Sequence, residues 1–163
     1  MPADLPPKFL HQLKVAWLQL GGKWSWLAMV PGERDLSTAG IARALCSVAS
    51  QLSIDPIGFV EAKDVDLDTA SRLIGQLGSA NASVNARPIF SRPLLSADNS
   101  EPQVTQWIVA LESPLANPLA LPVALAADGV VLCVRRGRST IAEVRQTIEA
   151  VGADRVVCCL LMD

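Results

Sequence analysis

The apolar positions of the chain follow two patterns, a helical spacing and short continuous runs. Apolar residues at helical spacing between Phe9 and Leu20 predict an N-terminal helix, which Gly21-Gly22 ends. Stripes of the same kind predict further helices in residues 37–52, 66–77 and 140–151. The continuous runs predict buried strands, because parallel strands covered by helices are apolar on both faces. These runs occupy residues 24–30, 57–61, 107–111, 129–134 and 156–161.

Strands that alternate with helices predict a doubly wound α/β fold, with a mostly parallel sheet flanked by helices. The length of 163 residues fits one domain. Within it, we expect residues 1–22 to form an N-terminal docking helix segment and residues 23–163 to form the α/β core. Residues 78–102 are rich in Ser, Asn, Pro and Ala, which predicts a loop with one short strand near 88–90.

Charge and composition exclude several classes of function. The formal net charge is −2, so the chain as a whole has no field that attracts nucleic acid or an anionic membrane. No apolar run approaches the roughly 20 residues that cross a bilayer, and the N-terminus lacks a signal-peptide pattern, which predicts a cytoplasmic protein without membrane insertion. His11 is the only histidine and the four cysteines lack metal-ligand spacing, so we expect no metal and buried, reduced thiols.

The first turn from strand to helix carries the candidate chemistry. Ligands of a doubly wound sheet bind at the carboxyl ends of its strands, and this turn has the position and length of a phosphate-binding loop. Its composition differs, because such a loop needs small residues, a lysine and a hydroxyl group for Mg²⁺. A carboxylate about 4 Å from a phosphate charge adds roughly 4 kcal/mol of repulsion at an effective dielectric of about 20. The turn reads Pro31, Gly32, Glu33, Arg34, Asp35, Leu36, Ser37 and Thr38.

This turn resembles the pattern PGEGK(T/S)(S/T)T of MinD/ParA-type P-loop ATPases, and in particular of the bacterial tyrosine kinases of capsular and exopolysaccharide synthesis. Against that pattern, Arg34 stands at the second glycine, Asp35 at the lysine and Leu36 at the Mg²⁺-binding hydroxyl. The segment ADGVVLCVRRGRST at 127–140 resembles the same kinases. The resemblance implies a P-loop fold that binds no nucleotide cofactor, which is a pseudo-ATPase or pseudokinase.

The resemblance also assigns altered residues to the acidic motifs that serve metal and nucleotide in this family. Glu112 falls at the Walker B aspartate, while Glu61 and Lys63 fall in the second acidic motif. Met162 stands at the asparagine that contacts adenine. The chain has no tyrosine, which excludes the tyrosine autophosphorylation of these kinases. We therefore expect no catalytic residue.

The N-terminal helix resembles the helix that pairs subunits in the kinase rings. Lys8, His11 and Lys14 take the spacing of its Glu-x-x-Arg-x-x-Arg motif without an acidic member, so the motif does not support a ring, and homo-oligomers of other kinds stay open. Trp17 on this helix is a candidate docking residue. Trp24 and Trp26 are expected to share a strand face and to pack in the core.

Three arginines follow the predicted strand at 129–134. Arg135, Arg136 and Arg138 are candidates for a patch that binds an anion or an acidic partner, together with Arg34. The alternative is a solvated, charged loop. The sequence supports both interpretations.

Three functional hypotheses follow. The leading one is a non-catalytic scaffold or regulatory protein of bacterial exopolysaccharide synthesis or export, which a membrane polysaccharide co-polymerase recruits to the inner membrane. The second is a divergent ATPase or kinase, in which Arg34 takes over the phosphate charge while Glu61 and Glu112 hold metal. The third is a MinD/ParA-type positioning protein for pili, flagella or division.

Overall fold

A parallel sheet of five strands forms the centre of the computed structural model, which describes residues 6–21, 24–80, 104 and 106–163. In chain order the elements are α1 (Pro7–Leu20), β1 (Trp26–Pro31), α2 (Ala39–Leu52), β2 (Ile57–Ala62), α3 (Leu67–Ala80), β3 (Gln106–Leu111), α4 (Ala120–Ala126), β4 (Gly129–Arg135), α5 (Ile141–Val151), a short 3-10 turn (Ala153–Arg155) and β5 (Val156–Met162). The strand order is β2-β3-β1-β4-β5, with every neighbouring pair parallel. The predicted doubly wound α/β class is confirmed.

Some boundaries differ from the prediction. The helix α3 continues to Ala80, so residues 78–80 are helical and not part of a loop. The short strand expected near 88–90 lies outside the described residues. The hydrophobic pattern does not predict α4, which has seven residues and no polar face. Pro122 at its third position is tolerated, because the N–H groups of the first turn have no partner within a helix.

Two apolar cores lie on opposite faces of the sheet, one under α1 and α2 and the other under α3, α4 and α5. The prediction that Trp24 and Trp26 share a face is wrong, since Trp24 packs in the first core and Trp26 in the second. The physical reason is that β1 begins at Trp26, so Trp24 precedes the strand and does not follow its alternation. Both rings are buried, as expected.

The helix α1 packs against α2 and β5. It starts at Pro7, where a proline costs no hydrogen bond, and it buries Leu13 and Ala16. The half-buried Trp17 meets the Trp24 ring edge-on, with centroids 5.5 Å apart. Part of the surface of Trp17, on the predicted docking helix, is therefore covered by packing within the chain.

The strand β5 forms one edge of the sheet, and this position corrects the prediction for the cysteines. Cys133 in β4 is buried and Cys158 is half-buried, but Cys159 is exposed. Successive side chains of a strand point to opposite faces, so Cys159 lies on a face of β5 that its neighbours do not cover. A continuous apolar run here marks an edge strand with one uncovered face.

The order of the strands opens a crevice at their carboxyl ends. From β1 the chain passes through α2, on one face, to β2, whereas from β3 it passes through α4, on the other face, to β4. The connections that leave the adjacent strands β1 and β3 therefore diverge, which is the position where doubly wound sheets bind ligands. Among the described residues, no helix has the length and apolar character to cross a membrane.

Candidate functional site

A cleft of about 620 Å³ occupies this crevice. Three loops form it, after β1, β2 and β3, and its lining comprises residues 34–39, 61–64, 110–113, 116 and 117. The cleft therefore brings together most of the turn that follows β1 and the acidic positions that follow β2 and β3. These loops meet because the carboxyl ends of parallel strands share one edge of the sheet.

The start of the first turn is fixed by contact with the end of β4. The strand β1 runs through Pro31, which pairs with Cys133, and the Gly32 N–H donates to the Cys133 carbonyl over 2.7 Å. A Cβ atom at Gly32 would lie 3.2 Å from side-chain atoms of Val134 and Val144. Close packing of the turn against β4 and α5 thus explains the glycine at this position.

Glu33 is the buried charge of the turn, with 5% of its surface exposed. Its carboxylate accepts from the Arg135 guanidinium through one oxygen and from the Ser139 hydroxyl, at 2.9 Å, through the other. The Ser139 oxygen also accepts the Arg135 backbone N–H over 2.9 Å. This network joins the first turn to the loop between β4 and α5. A buried pair of this kind is costly to break from one side, because the remaining charge stays buried without a partner.

The arginines of the predicted patch lie apart from one another in the structure. Arg135 is held by Glu33, and Arg136 lies 3.5 Å from the Asp163 carboxylate in an exposed pair. Arg138 is exposed. Arg34 lines the cleft, whereas none of the other three belongs to the described lining. The structure therefore does not gather the four arginines around the cleft.

The end of the turn is occupied by structural contacts. Thr38 is buried, and its hydroxyl donates to the Leu111 carbonyl over 2.9 Å, which links the start of α2 to the end of β3. Leu36 packs against the core under α1 and α2. Arg34, Asp35 and Ser37 are exposed. Leu36, the residue that the resemblance sets at a Mg²⁺-binding hydroxyl, is thus a partly buried apolar side chain between the core and the cleft.

Glu112, which follows β3, organises two of the loops that form the cleft. One carboxylate oxygen accepts the Asp64 N–H over 2.9 Å, and the other accepts the Asn117 side-chain amide over 2.9 Å. The same amide donates to the Val65 carbonyl over 2.9 Å. Asp64 adopts a positive φ of 51°, a left-handed backbone conformation in which Asp is enriched among non-glycine residues.

The pKa of Glu112 reflects these contacts. Burial alone would raise it, but hydrogen bonds from Asn117 and from the N–H groups of residues 64 and 65, with the charge of Lys63, hold the pKa below its ordinary value. The group is therefore an ionised carboxylate at neutral pH. Its hydrogen-bonding capacity is directed into the protein.

The second acidic position is also paired. Glu61 lies 2.8 Å from Arg43 of α2, in a pair whose side chains are 37% and 64% exposed. The Arg43 guanidinium also lies over the Phe59 ring, 5.3 Å from its centroid. Lys63 is exposed on the cleft wall. Exposed pairs of this type contribute about 1 kcal/mol or less to stability, so the main effect of the pair is that Arg43 offsets the charge of Glu61.

The charges of the cleft do not suit a polyphosphate. Two cations line it, Arg34 and Lys63, with the four carboxylates of Asp35, Glu61, Asp64 and Glu112, and the pairing of Glu61 with Arg43 leaves three carboxylates against the two cations. Within the described ranges, no group of three or more His, Cys, Asp or Glu side chains is placed to hold a metal ion.

Sequence reasoning missed three residues of this site, Asn117, Arg43 and Ser139. Asn117 follows the Ser-Pro turn after β3, where an Asn that hydrogen-bonds nearby backbone is a common turn signal. In the sequence either Ser139 or Thr140 can cap the helix that follows, and in the structure Thr140 takes that role in a capping box with Glu143. Ser139 is therefore free to serve Glu33, a contact between residues distant in sequence that no local pattern reveals.

The fold and the cleft define a class, the parallel α/β proteins with a crevice at the carboxyl ends of their strands. A scan of protein-family models finds no match to this chain, and searches among curated proteins and solved structures find none either.

Proposed function

We propose that this chain is a non-catalytic scaffold or regulatory module, built on a P-loop-like fold whose cleft no longer handles phosphate or metal. The observation that carries the proposal is the occupancy of the cleft by its own contacts. Glu112 and Thr38 are committed to hydrogen bonds within the protein, and Leu36 is partly buried against the core under α1 and α2. Residues that serve nucleotide in the resembling family are here structural members.

Electrostatics supports the same conclusion. With Glu61 paired to Arg43, the three remaining acids of the lining, which include the exposed Asp35, outnumber the two cations. Each carboxylate about 4 Å from a phosphate charge opposes binding by roughly 4 kcal/mol at an effective dielectric of about 20. A triphosphate would meet net repulsion where related loops supply a lysine.

The excess of carboxylates also supports a partner with a basic binding segment. Segments next to membrane-spanning helices on the cytoplasmic side are rich in Lys and Arg. An acidic cleft complements such a segment, and complementary charge speeds association and sets register. The proposed partner is therefore the basic cytosolic segment of a membrane polysaccharide co-polymerase, as the sequence resemblance implies, with the chain in the cytoplasm at the inner membrane.

Nucleotide binding is the first test, measured by thermal unfolding with and without about 5 mM Mg·ATP. A ligand at 100 times its Kd stabilises a protein by about 2.7 kcal/mol, so even a Kd of about 50 µM would give a clear shift. We expect no shift. A clear shift would refute the proposal, and ATP turnover that Arg34→Ala abolishes would favour the divergent ATPase in its place.

A restored loop provides the positive control. The triple substitution Arg34→Gly, Asp35→Lys and Leu36→Thr rebuilds the sequence PGEGKTST and should introduce a thermal shift with Mg·ATP. The matched control carries Asp35→Ala in place of Asp35→Lys and should show a smaller shift, because it lacks the ammonium group.

Binding of the partner is tested with the purified cytosolic segment of a co-polymerase. Replacement of Asp35 and Asp64 by Asn should weaken binding and reduce its salt dependence, because both acids line the cleft. Asp55→Asn is the control. Asp55 is exposed and precedes the first residue of β2, so it lies at the amino ends of the strands, away from the cleft. Equal binding by the wild type, the Asp35→Asn/Asp64→Asn double variant and the Asp55→Asn control would contradict the proposed surface.

A further inference from the structure

The edge strand β5 has few of the features that usually prevent edge strands from pairing, and from Cys158 onward its pairing with β4 is regular. Natural edges carry charges, prolines or bulges that block association with another chain. Along its seven described residues, β5 has neither a charge nor a proline. Its uncovered face exposes Val157 and Leu161, at 51% and 47%, together with Cys159. The opposite edge, β2, carries Glu61 in its ion pair.

The backbone of β5 is regular over most of its length. One shift of register lies at its start, between the pairs Val130–Val156 and Val131–Cys158, and from Cys158 to Met162 the pairing with β4 is continuous. The Met162 carbonyl accepts from Arg136, so it faces β4. Because backbone groups alternate along a strand, the N–H and C=O groups of Cys159 and Leu161 point away from β4, toward the open edge.

From these observations we infer that β5 pairs with β5 of a second copy, antiparallel and centred on Cys159, so that two sheets join into one. Such a pairing is two-fold symmetric and places residue 159 opposite itself. The outward N–H and C=O groups of the two Cys159 residues then exchange hydrogen bonds. Val157 of each copy faces Leu161 of the other, which covers the exposed apolar positions.

The charges at the two ends of β5 favour a second copy of this chain as the strand that pairs with it. Arg155, the last residue of the 3-10 turn before β5, and Asp163, just after the strand, lie at its two ends, so an antiparallel pairing brings each near the other in the second copy, and the symmetry produces that pair twice. Arg155 donates to the Ala127 carbonyl over 3.1 Å, and a guanidinium has further N–H groups for a carboxylate. Asp163 lies 3.5 Å from Arg136 in its own chain, and the partner's arginine adds a second cation. An arbitrary strand from another protein would not supply this match.

The experiment measures self-association of the full chain by sedimentation, up to about 100 µM protein. A single strand pair is a small interface, so we expect a dimer with a dissociation constant of micromolar order. Cys159→Pro removes an outward N–H and should abolish the dimer, while Cys159→Ser should retain it. Circular dichroism checks that both variants keep the fold. A monomer throughout the concentration series would overturn the inference.

A charge swap tests the register without a change in the strand itself. Arg155→Glu and Asp163→Lys should each weaken the dimer by about tenfold or more, since each substitution places two like-charge pairs across the strands. The double variant should recover dimerisation. Dimers that none of these changes affects would place the interface elsewhere and refute the inference.

Crosslinking identifies the central residue. In a background with Cys46→Ser and Cys158→Ala, the buried Cys133 stays out of reach and Cys159 is the accessible thiol. Facing residues of a hydrogen-bonded antiparallel pair have Cα atoms about 5.5 Å apart, so a short bismaleimide should link two chains efficiently. Removal of Cys159 from this background should eliminate the product, and a product that persists would argue against the register.

Discussion

The buried pair between Glu33 and Arg135 offers the sharpest test of how the first turn is held. Replacing Arg135 by Met leaves the Glu33 carboxylate with the Ser139 hydroxyl but without its counter-charge. The Glu33 side chain is 7% exposed and that of Arg135 is 29% exposed, so water compensates the orphaned acid poorly. Breaking a buried pair from one side costs about 3–5 kcal/mol. We expect a loss in this range for Arg135→Met.

Urea denaturation measures the effect. At an m value of about 2 kcal/mol/M, such a loss lowers the unfolding midpoint by roughly 1.5–2.5 M. Glu33→Gln should cost less, about 1–3 kcal/mol, because the orphaned Arg135 is the more exposed partner and the amide still accepts a hydrogen bond. The double variant should cost less than the sum of the two by about 1 kcal/mol or more, since the groups interact directly.

Arg136→Met is the control, because it removes a neighbouring arginine whose pair with Asp163 is 67% and 72% exposed. Its effect should stay within about 0.5 kcal/mol. A loss below about 1 kcal/mol for Arg135→Met, or strict additivity in the double variant, would refute the view that this pair anchors the turn.

Three further changes test the cleft and the sheet. Hydrogen bonds lower the pKa of Glu112 below its ordinary 4.5, so its stabilisation is full above that pH and is lost as the pH falls through the folded-state pKa; Glu112→Gln should therefore lower the free energy of unfolding at pH 7, and urea titrations should show this effect shrinking as the pH is lowered. Thr38→Val should cost about 1 kcal/mol through its lost hydrogen bond, while Thr38→Ser keeps the hydroxyl and should cost less. Gly58→Ala should lower the thermal midpoint, because its Cβ would lie 2.3 Å from the Trp107 ring, whereas Gly75→Ala in an exposed helical position should leave stability unchanged or raise it by up to about 1 kcal/mol.

The elements of this fold could be predicted because the periods of its apolar residues are clear. The buried strand β1 and the amphipathic helix α2 lie close to where the sequence places them. Periodicity could not reveal the order of the strands or which strand lies at an edge. Cys159 shows the consequence, since its apolar neighbours predict burial and its edge position exposes it.

The candidate site was predictable in position but not in its contacts. A turn after β1 and acids after β2 and β3 must meet at one edge of a parallel sheet, and the cleft there includes Arg34, Glu61 and Glu112. The partner of Glu33 lies 102 residues away in sequence, so no local pattern indicates it. Charge alone made Arg135 a candidate for a free patch, and only tertiary structure reveals its pairing.

The contacts of the cleft hold its loops together from within the protein. Loops that bind phosphate often depend on the anion to satisfy their N–H groups. Here Thr38 joins α2 to β3, and Glu112 joins the loops after β2 and β3, through hydrogen bonds of 2.9 Å in each case. A surface held in this way is ordered before a partner arrives, and binding then avoids most of the entropic cost of ordering loops. Under the proposed scaffold function, a partner would therefore meet a surface that contacts within the protein already hold in place.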